Sequence, residues 1–297
     1  MAVKPRILAV GSALDPTFVH FCVSATWFGA EIQIVDAAYR SVLHKTDTVD
    51  ETVELVGTTM ENEYACFLRP KTVGSDFETT QSSQTIYKQV SSFFTSSAER
   101  TIINSLEAGS SNFCKLQHTS VHLDLCHSFE IQSPETILSN CPDRVREFSA
   151  RHIHGVILKG ASNQKSEAVL FDASIVPNNL LPTPILLQEY IEGYDVRVHQ
   201  VGHQSIGERI RSDDVDYRFS KRNSYELFSP PPKICEFCFD AIEQNGLLFG
   251  GIDFKVRDGK YYFLEVNSLP DYRGYDKRSN FLITREIVDL FVRNAAA

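Results

Sequence analysis

The chain has 297 residues, 42% of them apolar and 23% charged, with a formal net charge of −9. That length supports two domains or one composite domain with a substantial core, and the composition is that of a soluble globular protein. The acidic balance argues against broad non-specific binding to nucleic acid, whose phosphates select Lys and Arg, while leaving room for a local basic pocket. No run of about 18 apolar residues occurs, so a membrane-spanning role is excluded.

The first third reads as α/β. Ile7 to Val10 in "RILAV" is too short for a signal-peptide core and reads as a first strand. Phe18 to Phe28 is apolar enough for a packed helix that Gly29 can end, and "EIQIVDA" alternates as a second strand, giving a βαβ start. No GxGxxG follows the first strand. "YACFLRP" is a third strand, residues 73–86 are a polar loop or helix start, and a helix runs from Tyr87 to Phe94. A domain change is expected near residue 105, followed by a helix from Cys114 to Leu125. "EIQSPETIL" has the pattern of strand, turn, strand. "CPDRVREFSARH" is a short capped helix, and "GVILKGA" is a strand carrying Lys159. "GASNQKSEAVLF" reads as a hairpin with a small, polar, mobile tip.

"PILLQEYIEGYDVRVHQVGHQSIGERI" is a series of strands with a turn at Gly202-His203. In "PPKICEFCFDAIEQNG", Ile234, Phe237, Cys238, Ala241 and Ile242 recur at helical spacing between leading prolines and Gly246. The strands "GGIDFKV" and "YYFLEVN" flank a turn at Asp258-Gly259, and the last helix runs from Phe281 to Val292. The seven cysteines are odd in number and scattered, which suits free thiols in a reducing cytoplasm. Cys235-x-x-Cys238 lies within a helical pattern, has no second pair, and reads as buried cysteine rather than half a zinc site.

The chemistry is concentrated in the last two strands. By alternation, Tyr261, Phe263, Glu265 and Asn267 share one face, and Tyr262, Leu264 and Val266 the other. A two-residue turn at Asp258-Gly259 would pair Asp253 with Leu264 and point it away from Glu265. A three-residue turn, Arg257 to Gly259, would pair Asp253 with Phe263 and bring it to the face of Glu265. The sequence allows both. Only the second gathers two carboxylates and an amide oxygen, a set of hard oxygen donors suited to Mg²⁺. Spacing alone leaves a solvated sheet face, with Lys255 as neutraliser, equally open. Lys159, Lys115, the apolar strand and polar turn of "LLQEYIEG", and Arg197, Arg209, Arg211 and Arg218 within 22 residues add phosphate-binding capacity. Together they describe an ATP·Mg site.

"VILKG", "LLQEYIEGYDVRV", "IRSDDVDYR", "GGIDF" and "FLEVNSLPDYRGYD" resemble, in order and spacing, the ATP-grasp ligases of the RimK type over roughly residues 100–297. The resemblance implies an ATP-grasp fold of the α/β (α+β) class in three parts: an N-terminal α/β pre-ATP-grasp domain, 1–105; a small lid subdomain, 106–185; and a C-terminal subdomain with the ATP·Mg site, 186–297. It implies that Lys115 and Lys159 hold the ATP phosphates, and that Gln188, Glu189, Tyr190 and Ile191 form the adenine hinge. Asp195 would lie near the ribose, and Arg197 is the arginine of a DxR element. Arg209 and Arg218 would face the γ-phosphate and the acyl-phosphate. Asp253, Glu265 and Asn267 would ligate one or two Mg²⁺ ions. The lid loop has a single glycine, and "SLPDYRGYD" replaces a glycine-rich turn; these depart from the family pattern.

The implied activity is ADP-forming carboxylate–amine ligation through an acyl-phosphate, acting on an amino acid or peptide. A small-molecule kinase of the same fold and a non-catalytic nucleotide-binding module are the alternatives. Tyr217, Tyr272, Arg273, Tyr275 and the hairpin 160–168 are candidates to line the acceptor pocket. Assembly into a homo-oligomer is compatible with the sequence.

Overall fold

The computed structural model describes residues 4–37, 46–49, 52–55, 58–60, 64–70, 77–96, 100–106, 122–160 and 167–295. Lys115, most of the expected helix from Cys114, and the tip of the hairpin after Lys159 lie outside the described residues.

Strand β1 (Arg6–Gly11) leads through helix α1 (Pro16–Trp27) to β2 (Glu31–Asp36), as the apolar pattern predicts. Asp15 caps α1 by accepting a hydrogen bond from the Thr17 N–H, and Gly29 at φ +84° ends it. A small antiparallel unit, β3 (Thr46–Val49), β4 (Thr52–Leu55) and β5 (Thr58–Met60), precedes β6 (Tyr64–Leu68). Helix α2 (Phe77–Thr95) begins ten residues before the expected Tyr87, through a stretch rich in Thr, Ser and Gln that has little apolar signal of its own. Its inner face, Ile86, Tyr87, Val90, Phe93 and Phe94, packs on Leu8, Val10, Cys66 and Leu68, so tertiary burial extends the helix beyond its apolar half. With β7 (Ile102–Ile103) the strands form a parallel sheet in the order β2-β1-β6-β7.

The middle of the chain builds a second sheet. Helix α3 (Leu123–Ser128) is followed by a single bridge from Gln132 to Tyr262, where a full strand was expected. Strand β8 (Thr136–Ser139), helix α4 (Pro142–Arg151), β9 (Val156–Lys159), β10 (Val169–Leu170) and β11 (Ile185–Glu189) then give the antiparallel order β10-β9-β11-β8. Val145 and Phe148 of α4 cover it with Val156 and Leu187.

The third sheet carries the site. Strands β12 (Tyr194–Val201), β13 (Gln204–Ser212), β14 (Asn223–Phe228), β15 (Phe249–Arg257) and β16 (Lys260–Asn267) form the antiparallel order β14-β13-β12-β15-β16. Helix α5 (Pro232–Glu243) buries Ile234, Phe237, Cys238, Ala241 and Ile242, the five residues of the helical pattern, against Val196, Val198, Ile252, Phe254, Phe263 and Val266. The chain ends in α6 (Arg273–Arg278) and α7 (Leu282–Ala295). Helix α7 packs Ile283, Ile287 and Phe291 into one cluster with Ile7, Ala9, Phe18 and Phe21 of the first sheet and α1. The first third and the C-terminal segment therefore share a continuous core. Among the described residues no helix is long and apolar enough to cross a membrane.

Candidate functional site

A cavity of about 740 Å³ opens between the second and third sheets. Lys159, Gln188, Glu189, Tyr190 and Ile191 line one side; Asp195, Arg197, Asp253, Lys255, Glu265 and Asn267 line the other. Residues 215–219 and 268–271 close the ends.

The turn between β15 and β16 is the two-residue one. Arg257 pairs with Lys260 across Asp258 (φ 52°) and Gly259 (φ 74°). Both central residues are left-handed, which suits the twist of the flanking strands. The three-residue alternative is therefore corrected, and so is the assignment of faces. Val256 pairs with Tyr261 and Phe254 with Phe263, but the register then shifts and Asp253 pairs with Glu265. Leu264 is the extra residue of a β-bulge, which reverses the alternation. Phe263 and Val266 thus both enter the core, while Glu265 and Asn267 join Asp253 on the cavity side.

The charges at this point are unbalanced in a way that suits a cation. Asp253 accepts a hydrogen bond from the Asn267 carboxamide at 2.8 Å and faces the Arg197 Nε at 3.0 Å. Burial pushes the Asp253 carboxyl up to about 7; Arg197 works against this, and the neighbouring Glu265 adds to it. Burial also opposes the charge on Arg197, but Asp253, Tyr217 and Tyr275 hold that guanidinium firmly protonated. Gly251, opposite Asn267, is needed because a Cβ there would meet the Arg197 Nη1 at 2.6 Å. Two carboxylates and one amide, all oxygen donors, fit Mg²⁺ once the amide turns its oxygen inward. Among the described residues no group of three or more His, Cys, Asp or Glu residues could hold a metal, and Cys235 and Cys238 are free thiols.

On the opposite wall, Lys159 ends β9 and donates to the Gln188 Oε1 at 3.1 Å; Gln188 is buried and its amide donates to the Thr136 hydroxyl. The Glu189 N–H is committed to the Glu135 carbonyl and the Tyr190 N–H to the Gly155 carbonyl. Among the described residues the Ile191 N–H has no such backbone partner. The chain can turn there because Gly193, at φ +140°, leaves room that a Cβ, at 2.1 Å from the Val256 carbonyl oxygen, would not. Asp195 pairs with Lys255 at 2.8 Å; burial raises its carboxyl and Lys255 offsets part of that. Arg218 is held in a fork by Asp216, whose bonds raise the guanidinium further, and it lies within the field of Glu265 and Asp253.

Several expected residues are placed elsewhere. Arg209 does not reach the cavity. It pairs across the strands with Val196 and Glu226, on the other face of the sheet, with its guanidinium at 3.3 Å from Glu226 and over the Phe228 ring. Strand parity separates it from Arg197, which pairs with Glu208. Tyr272 is fully buried, edge-on to Phe249, and Arg273 forks onto Asp271; neither lines the cavity, whereas Tyr217 and Tyr275 do, bonded to each other at 2.9 Å. Asp216 and Asp271 were not singled out in the sequence. Asp216 sits two residues from an arginine in "DYR", which is the one signal that could have found it.

Lys159, the buried Arg197, the half-exposed Arg218 and the Asp253, Glu265 and Asn267 triplet thus share one cavity between two sheets. The chain belongs to the RimK-like ATP-grasp domain family, whose model matches residues 119–291. The solved structures agree on the fold. The ATP-grasp ligase PsnB, complexed with a phosphomimetic variant of a minimal precursor, Mg and ADP, superposes with a TM-score of 0.81 at 20% identity over 98% of this chain and 99% of that one. The macrocyclase MdnC from Microcystis aeruginosa MRC, bound with precursor peptide MdnA, gives 0.75 at 17% identity over 97% and 99%. D-alanine–D-alanine ligase from Bacillus anthracis gives 0.60 at 12% identity over 99% and 97%. No curated protein matches the chain significantly.

Proposed function

We propose that the protein is an ATP-dependent, ADP-forming carboxylate–amine ligase whose carboxylate substrate belongs to a peptide. The observation that carries this reading is the bulge at Leu264, which sets Asp253 opposite Glu265 beside Asn267 in a cavity that also holds Lys159, Arg197 and Arg218. That PsnB and MdnC are solved with precursor peptides supports a peptide as substrate over a free amino acid. We keep 1–105, 106–185 and 186–297 as the proposed division of the chain, and the buried free cysteines support a reducing, cytoplasmic setting.

In this reading the Ile191 N–H takes an adenine acceptor, the Asp195–Lys255 pair lies near the ribose, and Lys159 offsets phosphate charge. Asp253, Glu265 and Asn267 would hold Mg²⁺, which would supply positive charge to offset that of the phosphate oxygens. Arg197 and Arg218 face the same space and orient the attacking carboxylate and the acyl-phosphate formed when it takes the γ-phosphoryl group and releases ADP. An amine then attacks the acyl carbon, and phosphate leaves. Among the described residues the cavity wall holds no nucleophile paired to a base, and none is needed, because the work is positioning and charge stabilisation. The Tyr217–Tyr275 pair borders this space and offers aromatic faces to a substrate side chain.

The test is an ADP-release screen across peptides carrying Asp or Glu together with Lys, with products read by mass. Loss of one water per ADP supports the reading. A stable phosphate ester on the peptide, or nucleotide binding without ADP release, sinks it.

A further inference from the structure

We propose that Asn104 is a positioning residue for the metal triplet, acting from the first sheet through the backbone of Ser268; this rests on the ATP·Mg reading above. The β15–β16 ladder ends at the pair Gly251 and Asn267. Next to that pair the Asn104 carboxamide bridges the two strands. Its Nδ2 donates to the Phe249 carbonyl at 2.7 Å and to the Ser268 carbonyl at 2.6 Å, while its Oδ1 accepts from the Phe249 N–H at 3.3 Å. All three bonds go to the same end of the metal-bearing hairpin, and Asn104 is 4% exposed. Only a carboxamide offers two donors and an acceptor in one plane. Ser268 directly follows Asn267, so this bridge fixes where the triplet's last member stands.

Two neighbours grip the next residues of the same segment. The buried Arg69 donates from Nη1 to the Pro270 carbonyl at 3.2 Å while its Nε is held by Asp15, and the Thr17 hydroxyl donates to the Asp271 carboxylate at 2.9 Å. Arg69 follows β6, Asn104 follows β7, and Thr17 opens the helix after β1. These are the carboxyl ends of a parallel sheet, where open α/β sheets place ligands. Here the occupant is the protein's own segment 268–271, which also lines the cavity. The first sheet thereby sets the geometry of a metal site to which it contributes no ligand, as outer partners of metal ligands do.

The experiment measures Mn²⁺ binding by electron paramagnetic resonance on the full chain with a non-hydrolysable ATP analogue. Wild type, Asn104→Ala, Asn104→Asp and Glu265→Gln are compared, and analogue affinity is measured separately in EDTA. The expected result is an Mn²⁺ dissociation constant about tenfold or more above wild type for both Asn104 variants, with analogue affinity in EDTA unchanged. Asn104→Ala removes the group and Asn104→Asp replaces its donor by an acceptor, and whichever variant folds reads out alone. In wild type, amide exchange in 102–106 and 267–271 should slow together when metal and analogue bind. Mn²⁺ affinity within twofold of wild type in folded Asn104 variants, with Glu265→Gln impaired, overturns the positioning role alone. Wild type that binds the analogue but no Mn²⁺ overturns the ATP·Mg reading and this proposal with it.

Discussion

Replacing Glu265 by Gln should stabilise the metal-free protein while removing most of its activity. Residues directly opposite in an antiparallel pair have Cβ atoms about 4.5–5.5 Å apart. Two carboxylates at roughly 5 Å repel by about 3 kcal/mol at an effective dielectric of about 20. Arg197 and partial protonation of Asp253 reduce this, leaving a gain of about 1–2 kcal/mol, or roughly 2–3 °C in Tm for a chain of this length. The gain depends on pH with a definite sign. The folded Asp253 carboxyl titrates at about 7 against an ordinary 3.8, so the folded state holds the extra proton between those values. Wild-type stability therefore falls as pH rises through that window. Glu265→Gln flattens the fall, so its advantage is largest near pH 8 and vanishes toward pH 5. Scanning calorimetry in EDTA at several pH values measures this. ADP release by the same variant should drop on the order of 10³-fold, the several kcal/mol of charge stabilisation a metal supplies. A metal-free variant less stable than wild type at pH 8, or near-normal ADP release, would refute the reasoning.

Other outcomes follow from the same geometry. The half-saturating Mg²⁺ concentration should fall as pH rises toward 7 and level above it, because the Asp253 proton must leave before metal binds; a flat metal titration between pH 5.5 and 8 would contradict the raised carboxyl. Arg197→Met should cost about 3–5 kcal/mol in denaturant unfolding, since it strands a buried Asp253. Arg209→Met, on the far face of the sheet, should leave the kcat for ADP release within about twofold, as expected of a residue outside the cavity; a large loss would return Arg209 to the site. Lys159→Met should raise the KM for ATP about tenfold, the loss of one charge-assisted bond, and lower stability by about 1–3 kcal/mol, because the buried Gln188 Oε1 loses its donor.

Much of this was legible in the residues. Helix α5 announces itself through five apolar positions that all prove buried, and the β1-α1-β2 start through alternation and a capping Gly29. The carboxylate pair was legible only as chemistry. The sequence left both turn lengths open; Asp253 and Glu265 meet through the two-residue turn and a bulge, because no local pattern marks Leu264 as an inserted residue. Arg209 was grouped with Arg197 on charge and proximity in sequence; which face each takes depends on strand register. Tyr272 resembled a pocket aromatic, yet the core shared by α1 and α7 claims it. Asn104 gave no signal, since its partners lie 145 and 164 residues away.

The central claim is that a substrate carboxylate is activated by phosphoryl transfer in this cavity. Its most direct test uses a peptide whose carboxylate carries a heavy oxygen isotope, turned over with ATP and Mg²⁺. The account predicts one labelled oxygen in the released phosphate for each new amide bond. Amide formation with all of the label retained in peptide and water, and none in phosphate, would contradict it.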